Sequence, residues 1–401
     1  MSAPPVNNSS GTATVVLRNL LPKPPTTKPG DAGEIEFCHP GYEPPYDVLF
    51  LFPRLDNTST SLKGVHYGTA LTACQIIANN AFDGYLATDQ EGRERVGPDI
   101  NLDHVLTESK YWFFVPAGQN PSPNPYPIVP SFQDWAFPHG KLASWPQQDK
   151  ETDFDVNPRC IITQAAGLIN QAHIIPPSDD QWFKLNAMAR YGNRHDVNQK
   201  KNRIALRHDL HSAFDSQLFA IVPKNNYYVI HQFHDNDICA RELASTYHNR
   251  IVVSEGVVRE FLFARLARAL LMLVQPFMTQ SPLKRYVVRL RAVEGSNVGS
   301  GQYRTQSEWL SPQQLSEQYS GGGTKSASPT KRKRDGENPP GNQQAYEADN
   351  DSSDYKSNSD DSDTEGEWYK TNVAVLLEGD RGRSRKRRRG DTSSDSDTEE
   401  E

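Results

Sequence analysis

Cysteine is scarce: four in 401 residues. Cys38, Cys74, Cys160 and Cys239 are scattered, with no Cys-X-X-Cys spacing. That excludes a disulfide framework and a zinc ribbon, and fits a reducing compartment. Long apolar runs are also missing. The most apolar helical stretch, residues 256–275, is broken by Glu260, Arg265 and Arg268. The uncharged run left is too short to cross a bilayer, so no membrane partner is expected. The first residues lack a basic start followed by an apolar core, so no secretory signal is expected. Apolar content is 36%, low because the ends are polar. The charge is not one-sided either, with 43 Lys and Arg against 50 Asp and Glu.

The charge is unevenly placed. Residues 321–401 hold 14 basic and 19 acidic side chains, whereas residues 184–207 hold seven basic and one acidic. Residues 241–291 hold nine and three. Basic stretches of this kind suit contact with a nucleic-acid backbone, and a solvated surface is the other reading.

The length exceeds one typical domain. Residues 1–34, rich in Ser, Thr, Asn, Gly and Pro, read as a disordered arm with a short strand at 13–17. Residues 35–150 read as an accessory α/β unit, with strands near 46–55, 82–88 and 110–115 and a helix near 69–80. Residues 151–235 form the unit with chemistry in it. Residues 236–295 read as an extension, with a helix at 256–275 whose Arg259, Arg265 and Arg268 form a charged outer face. Residues 296–401 read as a disordered tail. It carries Lys331-Arg332-Lys333-Arg334 and Arg385-Lys386-Arg387-Arg388-Arg389 among Ser/Asp/Glu runs. Such clusters imply a nuclear location and an import receptor as partner, and the acidic serine runs resemble kinase sites.

The chemistry concentrates in residues 160–223. His173 stands in an apolar run, Ala172-His173-Ile174-Ile175, closed by Pro176-Pro177. The spacing predicts a hairpin from residues 160–163 and 171–175. Asn202 opens a second ordered stretch, and His211 and Asp215 follow at i, i+4, on one face of a helix. Taken singly, these are a core histidine, a turn residue and a surface ion pair. Together they supply what phosphodiester hydrolysis needs: an imidazole to activate water, and carboxylate and imidazole donors for a cation that offsets phosphate charge. Mg²⁺, Mn²⁺ or Zn²⁺ would suit those donors. His208 shares part of the face of His211 and is a further ligand candidate. Asp209 caps or orients the helix start. Lys200, Lys201, Arg203 and Arg207 are placed to touch phosphates. His231, His234, Asp235 and Asp237 form another cluster of donors, but match no closed zinc spacing.

The order strand-His, loop-Asn, helix-His, with LRHDLHSAFD after the Asn, resembles the HNH endonucleases, in a branch with an AHI motif. The flanks have the general look of fungal multi-region proteins that carry this domain. The resemblance implies an α+β class: a ββα-metal nuclease domain with an N-terminal α/β accessory unit, a C-terminal helix and disordered tails. It implies His173 as general base, Asn202 as brace of the base's backbone, and His211 and Asp215 as ligands of a divalent ion, Mg²⁺ foremost. It implies nucleic acid as substrate, DNA favoured over RNA. One position departs from the common pattern: Ala172 stands where many members place a metal-binding residue. The alternative reading is a non-catalytic nuclear protein that binds nucleic acid or chromatin through the same scaffold.

Overall fold

The computed structural model describes residues 33–319, apart from 59–60, 98–99, 117–124, 143, 148–157, 193 and 293–302. The strand expected at 13–17 and both basic clusters lie outside the described residues.

The described chain is a mixed α+β protein. It opens with β1 (Glu34–Cys38), β2 (Val48–Pro53), β3 (Asp56–Asn57), β4 (Lys63–His66), helix α1 (Tyr67–Ile77), β5 (Tyr85–Ala87), β6 (Val105–Leu106) and β7 (Lys110–Phe114). A four-stranded sheet has the order β2-β1-β7-β5, and β1 and β7 run parallel. Pro53 ends β2, an edge strand, where a missing amide proton breaks no ladder. His66 starts α1 by accepting from the Thr69 amide through Nδ1, 3.1 Å.

The chain then forms β8 (Ile169–His173), α2 (Asp180–Leu185), β9 (Arg203–Arg207), α3 (His208–Asp215), β10 (Phe219–Lys224) and β11 (Tyr227–Gln232). Strand β8 pairs antiparallel with β9, from Ile169↔Arg207 to His173↔Arg203. The partner of the histidine strand is therefore β9, not residues 160–163. The latter form a turn: the Gln164 amide donates back to the Cys160 carbonyl at 2.8 Å, and Gln164 lies at φ 60°. A four-residue apolar run does not distinguish a buried turn from a strand. Pro176 and Pro177 end β8's extension, and Pro177 starts a 3-10 turn, Pro177–Asp179.

Residues 174–202 are an excursion between the two strands of the hairpin. Its anchor is Trp182 of α2. The indole stacks on Trp135 with centroids 5.7 Å apart, and its N–H donates to the Trp135 carbonyl at 2.7 Å. Phe132 lies 4.2 Å from the same ring. Later in the excursion, Gly192 lets the buried Gln199 side chain lie directly against its backbone; a Cβ there would overlap the amide.

The rest comprises α4 (Ile238–Tyr247), α5 (Arg259–Leu273), α6 (Gln275–Thr279), β12 (Arg285–Ala292), β13 (Tyr303–Leu310) and α7 (Pro312–Tyr319), so the stretch expected as tail from residue 296 holds a strand paired with β12 and a helix that buries Leu315. Helix α5 packs on α1, β2 and β10, and its Phe261, Phe263, Leu266 and Leu270 are buried. Contact on several sides leaves it no fully charged outer face. Arg265 is 1% exposed, and Arg268 pairs with Asp179 at 2.7 Å. One continuous apolar core runs from Ile35 to Leu315.

A buried polar knot joins β3 to β10, β11 and α4. Asp56 Oδ1 accepts from Lys224 Nζ at 2.6 Å, His248 Nε2 at 3.1 Å and Asn249 Nδ2 at 2.9 Å; Oδ2 accepts from the His66 amide at 2.8 Å. His231 lies here, not with His234, Asp235 and Asp237, because it sits inside β11, a strand buried on both faces, whereas those three follow the strand's end. Donor atoms of Asp56, His231 and His248 come within 4.8 Å of one another. Lys224 already supplies the cation at that carboxylate, so the group reads as an ion-pair knot. Burial favours the neutral carboxyl, but Lys224 and His248 outweigh it and hold Asp56 well below the carboxylate range.

Burial also depresses several imidazoles. His39 falls to about 3, chiefly by desolvation. His66 falls to about 4, by desolvation and then Lys224. His231 and His248 shift the same way. The unfolded chain takes up protons on these rings near 6.5, and the folded chain only at lower pH. Stability should therefore fall as pH drops below 6.5, steepening toward the titration of Asp56. Urea midpoints at about pH 7.5 and about pH 5 test this; equal midpoints would show that the rings charge without penalty.

Candidate active site

His173 is the last residue of β8, opposite Arg203. The ring is half-buried, and Nε2 lies 3.2 Å from Asn198 Oδ1. With that oxygen accepting, Nε2 carries the proton and Nδ1 keeps a lone pair. Burial lowers the His173 pKa, and the Arg203 charge lowers it further. Asn198 and Asp215 pull the other way, and His211 again lowers it. The ring is therefore neutral near pH 7 and lies within electrostatic reach of the helix pair.

That pair sits on α3, which follows β9 without a linker. Arg207 grips Asp209 with two bonds of 2.6 Å and also donates to the Tyr247 hydroxyl at 3.1 Å, fixing the helix start. Leu210, Ala213 and Phe214 bury the opposite face. His211 Nε2 and Asp215 Oδ2 lie 3.0 Å apart, with side chains 24% and 32% exposed. Asn170 of β8 reaches across: its Nδ2 lies 3.1 Å from His208 Nδ1 and 3.3 Å from His211 Nδ1.

Asn202 touches neither His211 nor Asp215. It is fully buried and staples the excursion at its base. Its Oδ1 accepts from the Ile175 amide at 2.9 Å, and its Nδ2 donates to the carbonyls of Ile175 and Val197, each at 2.7 Å. Ile175 lies two positions after His173, so the amide acts on the backbone that carries the ring. Ala172 is fully buried opposite Ile204, on the sheet face that packs under α3. Lys200 and Lys201 lie on the 3-10 turn Lys200–Asn202, just ahead of β9. Of the four basic candidates, Arg207 is committed to Asp209 and Tyr247. Arg203 Nε has no hydrogen-bond partner among the described residues.

The donor set fits a divalent ion. A carboxylate oxygen and an imidazole nitrogen face each other at 3.0 Å on a half-exposed surface. Sequence reasoning missed Asn170, Asn198 and Arg265. Only Asn170 left a readable trace, a polar residue two positions before Ala172 and so on the same strand face.

The family model described as HNH endonuclease matches residues 160–222. Neither the comparison with curated proteins nor that with solved structures returns a match. HNH nucleases work with divalent metal ions and act on nucleic acid, so the match suggests a nuclease-type, nucleic-acid-related function for this segment.

Asn202→Ala leaves the Ile175 amide and two carbonyls without partners inside the protein. A loss of about 3 kcal/mol in unfolding free energy is expected, measured by urea denaturation. A loss below about 0.5 kcal/mol would mean that the backbone finds other partners.

Proposed function

With residues 160–222 in the HNH endonuclease family, we propose that the protein is a metal-dependent endonuclease that hydrolyses phosphodiester bonds, DNA in preference to RNA. The observation that carries this reading is one hairpin and helix bearing a neutral histidine within electrostatic reach of a facing His–Asp pair. In this reading β8, β9 and α3 form a ββα-metal unit within residues 151–235. Residues 35–150 act as its accessory unit and 236–295 as its extension.

His173 Nδ1 takes a proton from water as the oxygen attacks phosphorus. Asn198 holds the ring in the required tautomer, and Asn202 keeps the strand end in place through Ile175. Arg203, Lys200 and Lys201 meet the phosphate backbone. His211 and Asp215 hold the ion, Mg²⁺ first and Mn²⁺ or Zn²⁺ as alternatives, with His208 and Asn170 adjacent. The ion supplies positive charge to the crowded phosphate and the departing oxygen. The basic clusters of the tail serve nuclear import through an import receptor.

Ala172 favours a second reading, in which the scaffold binds nucleic acid in chromatin without cutting it. Binding would then be sensitive to salt and indifferent to loss of His173.

His173→Ala should lower cleavage of plasmid by at least about a hundredfold while binding persists. A chelator should abolish it. Because only the neutral ring accepts a proton, wild-type rates should be flat near pH 7 and fall only below 6.5. A wild-type chain that nicks no substrate with Mg²⁺, Mn²⁺ or Zn²⁺ would favour the binding module.

A further inference from the structure

Helix α5 lies outside the matched segment, yet a charged side chain from its middle enters the proposed site from behind. Arg265 Nη1 donates to the Ile174 carbonyl at 3.4 Å, and Nη2 donates to the Phe214 carbonyl. The guanidinium carbon sits 3.9 Å over the Phe214 ring. Ile174 directly follows the proposed base, and Phe214 directly precedes the proposed ligand Asp215. One rigid fork thus spans the strand end and the helix end on which the reaction depends.

The residue type suits this task. Arginine presents several N–H donors in a fixed plane, whereas lysine is a point charge on a flexible stem. The Phe214 carbonyl lies in the last turn of α3, where the helix dipole favours a cation. The ring face adds a cation–π contact. One turn along α5, Arg268 holds Asp179, which also accepts from Gln133 Nε2 at 2.7 Å. The same helix face therefore fixes the turn that follows His173.

We propose that Arg265 is a positioning residue of the phosphodiesterase site, setting the separation between His173 and the His211–Asp215 pair. The role in cleavage rests on the nuclease reading; the mechanical role does not. The full-length chain is compared with Arg265→Met and Arg265→Lys, by hydrogen exchange and by steady-state cleavage with Mg²⁺. In Arg265→Met, exchange at the Ile174 and Ile175 amides should rise at least about tenfold while amides inside α5 keep their protection. The kcat should fall at least about tenfold with KM within about twofold, the pattern of misplaced groups and not of weakened binding. Arg265→Lys should fall between the two, and it decides the matter if the methionine variant does not fold. Unchanged exchange at both amides, or a full wild-type kcat in a folded variant, overturns the proposal. If the wild-type chain cleaves nothing, the nuclease reading fails, and the exchange rates alone judge Arg265.

Discussion

The amide of Asn202 closing on the backbone of Ile175 is the constraint on which the site depends. Strands β8 and β9 are joined through residues 174–202, and closing so long a loop costs chain entropy. Three short bonds from one buried side chain close it at its base, and the Ile174 amide donates to the Asn202 carbonyl at 2.9 Å beside them. The hairpin thereby gains a final rung where the prolines would end it. His173 sits on that rung's threshold, so the backbone that carries its ring is held by these bonds while Asn198 holds the ring itself.

Two His–Asp pairs in this protein show how surroundings decide what the same residue types do. His248 and Asp56 meet at 3.1 Å deep in the fold, with Lys224 supplying the balancing charge. His211 and Asp215 meet at 3.0 Å on a half-open face with neutral Asn170 beside them. The first carboxylate is saturated by protein donors. The second retains capacity for a partner from solution.

Much of the candidate site's local geometry could be read from the sequence because its logic is local. The i, i+4 spacing of His211 and Asp215 does place them face to face, and the double proline closes the extended stretch that follows β8. The α5 helix announced itself by apolar spacing, and its bounds, Arg259–Leu273, fall inside the expected stretch. What depended on long-range pairing could not be read. Residues 160–163 have strand composition, yet β9 won the place beside β8 because it brings Ile204 and Leu206 over α3 in register. Arg265 looked like a surface residue because a helical pattern does not reveal how many neighbours surround it. His231 looked like part of a cluster adjacent in sequence, whereas its place inside β11 brings it to Asp56, far away in the chain.

The span of the Asp56–Lys224 contact, 168 positions, bears on how the chain is made. During synthesis the carboxylate leaves the ribosome long before its ammonium partner exists. Until Lys224 arrives, enclosing Asp56 would strand a charge away from water, which is far costlier than leaving it hydrated. The amino-terminal sheet must therefore stay ajar at β3 while translation proceeds, and it locks only when β10 has emerged. The nascent protein thus carries an internal timer, set by the moment at which the last residue of β10 emerges.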